Sequence, residues 1–145
     1  MYEDEEHLMK TNKPILLVED DEVDVLTVQR ALRDLNVSNP LKVARNGEEA
    51  LDILRDTRGE RPAIILLDLN MPRMGGMEFL RTARKQNLGR GIPVIVLTTS
   101  RRDRDILEGF DLNVAGYMVK PVDYRKFVDV MKAIDVYWTL SELPP

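Results

Sequence analysis

The segment that most restricts the fold is residues 63–72, AIILLDLNMP, where five apolar residues run straight into Asp68. A strand with one wet face alternates in polarity. An unbroken apolar run of this length instead reads as a strand buried on both faces, which requires helices packed on either side of a parallel sheet. The rest of the chain supplies the other parts. Short apolar runs at 15–18, 41–44, 93–97 and 116–119 alternate with longer stretches of helical spacing. Val25, Val28, Leu32 and Leu35 recur after Glu22. Residues 46–56 start with Asn46 as a cap, and Glu48 and Glu49 suit the positive end of a helix. Gly75 and Gly76 break the chain before Met77, Leu80 and Ala83. A short helix is expected at 103–110 and a long one at 123–140. Strands alternating with helices over 145 residues predict one α/β domain with a mostly parallel five-stranded sheet and right-handed crossovers.

In such sheets ligands bind beyond the carboxyl ends of the strands. Glu19, Asp20 and Asp21 follow the first strand. Asp68 follows the third, with Asn70 two residues on, Thr98 follows the fourth and Lys120 the fifth. Taken singly these have ordinary readings: acids after a strand cap the next helix, a strand-end Thr sits in a turn, a Lys before Pro is solvated. Asp68 resists that treatment, because a carboxylate at the end of a doubly buried strand is costly without cationic company. Converging carboxylates repel one another, so Lys120 or a divalent cation must offset them. Mg²⁺ suits the set, being a hard ion that takes one or two carboxylates and phosphate oxygens. Asp68 then has the makings of a nucleophile on phosphorus, with Lys120 and Thr98 holding the other phosphoryl oxygens.

The blocks ILLVEDDE, LLDLNMPRMGG, VIVLTTS and GYMVKP, in this order from about Pro14 to the C-terminal helix, resemble the signature blocks of bacterial response-regulator receiver domains. The resemblance implies a flavodoxin-like (βα)5 doubly wound fold of strand order 2-1-3-4-5, with residues 13–145 as the receiver and 1–12 as an N-terminal arm. It implies that Asp68 accepts a phosphoryl group from a sensor histidine kinase. Asp20, Asp68 and the Asn70 backbone carbonyl are then Mg²⁺ ligands, with Glu19 assisting through water. Thr98 and Tyr117 match a switch pair, Lys120 the phosphate-binding lysine, and Pro121 a cis-proline. Thr99 stands where the family more often has a smaller residue, so access to Asp68 is narrower here. Asn70 and Ser100 fall at positions that tune phosphate lifetime in relatives.

The final helix carries Phe127, Val130, Met131, Ile134, Tyr137 and Trp138 at helical spacing, mostly a core stripe. Its Tyr-Trp ending and the segment 98–113 resemble the single-domain regulators that partner bacterial phytochromes. This implies a phytochrome kinase as partner and a homodimer through the face of the last helix and strand 5, with Tyr137 and Trp138 as interface candidates. A net charge of −4 argues against nucleic acid as a partner. Arg101, Arg102 and Arg104 alternate with acids and read as a solvated helix start. With no cysteine there is no disulfide framework or thiol nucleophile. His7, the single histidine, lies in a polar start that is expected to fray. No apolar run reaches the length of a membrane span and the acidic start is unlike a signal peptide, so a cytoplasmic location is expected. No output module fits in the remaining residues, so the output is expected to be protein binding, and the chain is expected not to be an enzyme. Two other readings compete. A Mg²⁺-dependent aspartyl-phosphate phosphohydrolase wants a second acid two residues after the nucleophile, where this chain has Asn70. A non-phosphorylated receiver-like scaffold does not need the set Glu19, Asp20, Asp68, Thr98 and Lys120.

Overall fold

The computed structural model describes residues 12–71, 73–98, 114–120 and 123–141. In chain order these form β1 (Ile15–Val18), α1 (Glu22–Asp34), β2 (Leu41–Ala44), α2 (Gly47–Arg55), β3 (Ile64–Asp68), α3 (Gly76–Lys85), β4 (Val94–Thr98), β5 (Gly116–Val119) and α4 (Tyr124–Ser141). The strands make one five-stranded sheet of order β2-β1-β3-β4-β5, and every pairing is parallel. This is the parallel α/β sheet expected from the alternation, in the flavodoxin-like, doubly wound order that the resemblance implies. The expected short helix at 103–110, the basic cluster of Arg101, Arg102 and Arg104, and the N-terminal stretch to residue 11 lie outside the described residues.

Side-chain alternation along the strands divides the core into two layers. Ile15, Leu17, Ile64, Leu66, Ile95 and Leu97 face α1 and α4, where they meet Val25, Val28, Phe127, Met131 and Ile134. Leu16, Val18, Ile65, Leu67, Val94 and Val96 face α2 and α3, meeting Leu51, Phe79, Leu80 and Ala83. The apolar run around β3 therefore fills both layers at once, each large side chain contributing about 1.5–3 kcal/mol relative to exposure. The run is shifted by one residue from the sequence reading. Ala63 lies before the strand, its amide bonded to the Pro14 carbonyl. Asp68 is the last strand residue, in register with Leu97 of β4.

Local signals set the helix ends. Asp21 caps α1, accepting from the amides of Val23 at 2.8 Å and Asp24 at 3.2 Å. Asn46 caps α2 through the Glu49 amide at 2.9 Å, while the Glu49 carboxylate reaches back to the Arg45 amide at 2.8 Å. Two helices stop at asparagines in the left-handed region, Asn36 at φ 59° after α1 and Asn87 at φ 60° after α3. The next amides, Val37 and Leu88, close back on the carbonyls of Leu32 and Ala83.

The connection from β3 to α3 brings backbone close to backbone. Arg73 takes a positive φ of 66° there, unusual for a side chain of its size. The loop is anchored on both sides, by the Gly47 amide on the Met74 carbonyl at 2.8 Å and the Gly76 amide on the Leu69 carbonyl at 3.1 Å. Both glycines are needed for close approach. A Cβ on Gly76 would lie 2.6 Å from the Asp68 carbonyl oxygen and 2.9 Å from Leu69 Cα. One on Gly47 would lie 2.6 Å from the Met74 side chain. The backbone that presents Asp68 is thus wedged in place from the α3 side.

Candidate functional site

The switch in strand order falls between β1 and β3, and the acids that follow or end these strands meet there. Strand parity assigns the sides. Glu19 continues the alternation of Ile15 and Leu17, and Asp68 that of Ile64 and Leu66. Lys120 lies two positions beyond Met118, which packs against the same layer. All three therefore stand on the α1 side of the sheet. Glu19, Asp20 and Asp68 bring one carboxylate oxygen each to within 4.8 Å of one another. Glu19 and Asp68 are buried, at 2% and 8% exposure, and Asp20 is exposed. Around them opens a cavity of about 570 Å³ lined by residues 19–24, Asp68, Asn70 and Lys120.

Lys120 Nζ donates to Glu19 Oε1 at 2.7 Å and to Asp24 Oδ2 at 2.9 Å. Its ion-pair partners among the described residues are these two, and Asp68 is not one of them. Asp68 Oδ1 accepts instead from the Asn70 amide at 3.3 Å. Burial pushes the Asp68 carboxyl above its ordinary range, and the charge of Asp20 adds to this; Lys120 and the Asn70 amide pull the other way. Glu19 is pushed up from 4.5 to about 7, again chiefly by burial, with Lys120 opposing and Asp68 adding. Burial also works against the Lys120 charge, but the hydrogen bonds to Glu19 and Asp24 and the field of Asp68 outweigh it and raise its value. The cluster is short of positive charge by itself.

The donor set fits a hard divalent cation. Its atoms are carboxylate oxygens close enough to share one ion, and two of them belong to acids whose proton affinity burial raises. A pH dependence follows. A carboxyl with a folded-state value above its unfolded one contributes stability that is present at low pH and lost as pH rises through the folded value. For Glu19 that window runs from 4.5 to about 7, and Asp68 acts in the same direction. Chemical denaturation with a chelator present should therefore show falling stability from about pH 5 to about pH 8. Excess Mg²⁺ should restore more stability at the upper end than at the lower, where protons compete for the same oxygens. An equal Mg²⁺ effect at both ends contradicts this assignment.

Of the three acids after β1, the structure divides the labour. Glu19 and Asp20 join Asp68, whereas Asp21 is spent on the α1 cap. Asp24 was not singled out from the sequence. As a helix-start acid three residues beyond a cap it has an ordinary reading, and its contact with Lys120 spans 96 residues. Tyr117 is half-buried and packs against the α2 and α3 layer beside Val96. Thr98 ends β4 in register with Val119, and its side chain lies outside the described residues. So do Pro121 with its expected cis bond, Thr99, Ser100, and the side chains of Tyr137 and Trp138, whose positions fall within α4. Among the described residues no helix is long and apolar enough to cross a membrane.

The sequence places this site in a known group: a family model described as Response regulator receiver domain matches residues 15–132. The chain belongs to the response regulator receiver domain family. These are signalling modules of two-component systems rather than a catalytic family. Among solved structures, the receiver is similar to the phosphorylated cyanobacterial phytochrome response regulator RcpA. They share 36% identity over 92% of this chain and 98% of that one, with a TM-score of 0.79. It is also 34% identical to Response regulator Rcp1 of Synechocystis sp. over 87% of this chain and 88% of the relative. A structure of the Mn²⁺-bound form of Rcp1 superposes with a TM-score of 0.76 at 33% identity, covering 92% and 99% of the two chains. A third relative is the "Probable methanogenesis regulatory protein FilR2" of Methanothrix harundinacea, 35% identical over 86% of this receiver and 82% of its own length.

Proposed function

We propose that this receiver takes a phosphoryl group onto Asp68 from a histidine kinase, with Mg²⁺ bound beside it, and signals through the resulting change in its binding surface. The observation that carries the reading is the meeting of Glu19, Asp20 and Asp68 within 4.8 Å at the switch edge, with partly buried Lys120 alongside. Asp20, Asp68 and the Asn70 carbonyl are the direct metal ligands in this reading, and Glu19 acts through water. When bound, Mg²⁺ neutralises charge on the transferred phosphoryl oxygens. The residues do the rest. An oxygen of Asp68 attacks phosphorus as the bond from phosphorus to the donor histidine nitrogen breaks, and the imidazole leaves with that electron pair. Lys120 holds a phosphoryl oxygen, and the Asn70 amide steadies the acceptor carboxylate.

Thr98 and Tyr117 form the switch pair of this reading: the hydroxyl closes on the phosphoryl group and the ring moves inward from its half-buried place beside Val96. Pro121 is cis in this reading. Phosphorylation biases this two-state element rather than building a new one. The likeness to RcpA, a phytochrome response regulator, supports a phytochrome as the kinase. A homodimer through the α4 and β5 face, with Tyr137 and Trp138 in the contact, belongs to the same reading. Residues 13–145 are the receiver and 1–12 an arm in this reading, and the setting is cytoplasmic.

Intact mass spectrometry tests the chemistry. Incubated with Mg²⁺ and acetyl phosphate, or with an autophosphorylated phytochrome kinase, the protein should gain one phosphoryl group. A chelator should abolish the gain. No adduct from either donor overturns the reading and leaves the scaffold alternative.

A further inference from the structure

Lys120 is the cation on which phosphoryl binding relies, yet it is turned toward two acids other than the acceptor. One of them, Glu19, has competing duties. Its Oε1 takes Lys120 at 2.7 Å, its Oε2 takes the Asp21 amide at 3.3 Å, and the same carboxylate belongs to the cluster around the metal position. Among the described residues Asp24 has one partner of this kind. Its Oδ2 lies 2.9 Å from Lys120 Nζ, and it is not part of the three-acid group. It stands on the first turn of α1, 41% exposed against 11% for the lysine side chain. With a cation beside Glu19, that residue's hold on Lys120 would weaken by opposing charge, and Asp24 would remain the principal anchor. The cavity at the acceptor and the neighbouring groove of about 280 Å³ between α1 and α4 are both lined by Asp24 and Lys120. The lysine therefore has room to change partner at this point.

We propose that Asp24 is a positioning residue that parks Lys120 away from Asp68 in the resting receiver, and that phosphoryl binding proceeds by exchange of Asp24 for a phosphoryl oxygen on Lys120. The inference rests on Asp68 as the acceptor. Asp24 touches neither phosphorus nor metal in this scheme; it sets how readily the lysine is released. Its carboxylate thereby ties the start of α1 to the end of β5 in one state and frees them in the other.

Beryllofluoride with Mg²⁺ serves as the probe, since it occupies a carboxylate in the manner of a phosphoryl group without turning over. Asp24→Asn keeps the shape and removes the ion pair. A half-exposed pair contributes little, so beryllofluoride should bind about three- to fivefold more tightly to this variant than to the wild type. Asp24→Glu, which restores the charge and can still reach, should return toward the wild type. Glu22→Gln removes an equal charge from the same cavity wall, but from a residue paired with Arg45 at 2.7 Å, and should change the affinity little. The Lys120 ammonium resonance supplies a readout that a loss of general charge does not move. In Asp24→Asn it should be displaced before beryllofluoride is added, in the direction the wild type takes on binding. Unchanged or weaker binding in Asp24→Asn, an equal gain in Glu22→Gln, or an unmoved lysine resonance overturns the proposal. A wild type that binds no beryllofluoride overturns the reading of Asp68 itself.

Discussion

In Asp68→Asn the phosphoryl adduct is expected to vanish while the fold becomes more stable. The side chain keeps its shape, and its amide oxygen can still accept from the Asn70 amide, so the strand end has no reason to move. What disappears is the oxygen proposed as nucleophile and one negative charge in a site that holds too many. Asp68 is 8% exposed, its carboxyl is driven upward by burial, and its charge raises Glu19 in turn. Removing that charge relieves both. Chemical denaturation at about pH 8 in chelator should show a gain in stability over the wild type, because a buried charge that burial disfavours is gone. Mg²⁺ affinity should fall about tenfold or more, because one of the few carboxylate donors is lost. A variant that loses stability, or that retains Mg²⁺ binding at wild-type strength, contradicts the site as described.

Gly76→Ala is expected to damage both the fold and the chemistry through one added methyl group. That Cβ would stand 2.6 Å from the Asp68 carbonyl oxygen and 2.9 Å from both Leu69 Cα and Leu69 Cδ2. Two of these atoms are backbone, and they belong to the segment that aims the acceptor. They cannot give way without shifting the end of β3 or the start of α3. Overpacking of this kind costs about 1–3 kcal/mol, and a shift of the acceptor by even ~1 Å slows a positioned reaction about 10²-fold. Denaturation and the rate of phosphoryl gain from acetyl phosphate measure the two effects separately. Wild-type values for both would show that the loop tolerates a Cβ and that Gly76 does not set the position of Asp68.

These two positions also show what a sequence can disclose. Asp68 was legible because its cause is local: an apolar run with no alternation admits one kind of strand, and an acid at its end needs explaining. Glu19, Asp20 and Lys120 were legible from the same periodicity, since each follows an apolar run. The sheet brings those ends to one edge by its parallel order. Glu19, Asp68 and Lys120 even share a face by strand parity. Asp21 shows the limit of such reading, for nothing in VEDDE separates the acid that caps α1 from the two that enter the site. Asp24, and the close approach at Gly76, which reads in sequence only as a chain break, were beyond it. Their roles arise from tertiary contacts, one a lysine 96 residues away, the other a close approach of two backbones. Neither contact leaves a periodic trace. The one-residue shift of β3 has the same origin, because strand ends are set by pairing with Leu97 and not by the apolar run itself.

Chemical trapping tests, at the level of the residue, whether the phosphoryl group resides on Asp68. Borohydride reduces an aspartyl phosphate to homoserine, which peptide mass spectrometry locates. After treatment with acetyl phosphate and Mg²⁺, the account predicts homoserine at position 68 alone, and none in a sample kept from the donor. Homoserine at position 20 or 24 with position 68 intact, or a phosphorylated protein in which no aspartate is reduced, would contradict it.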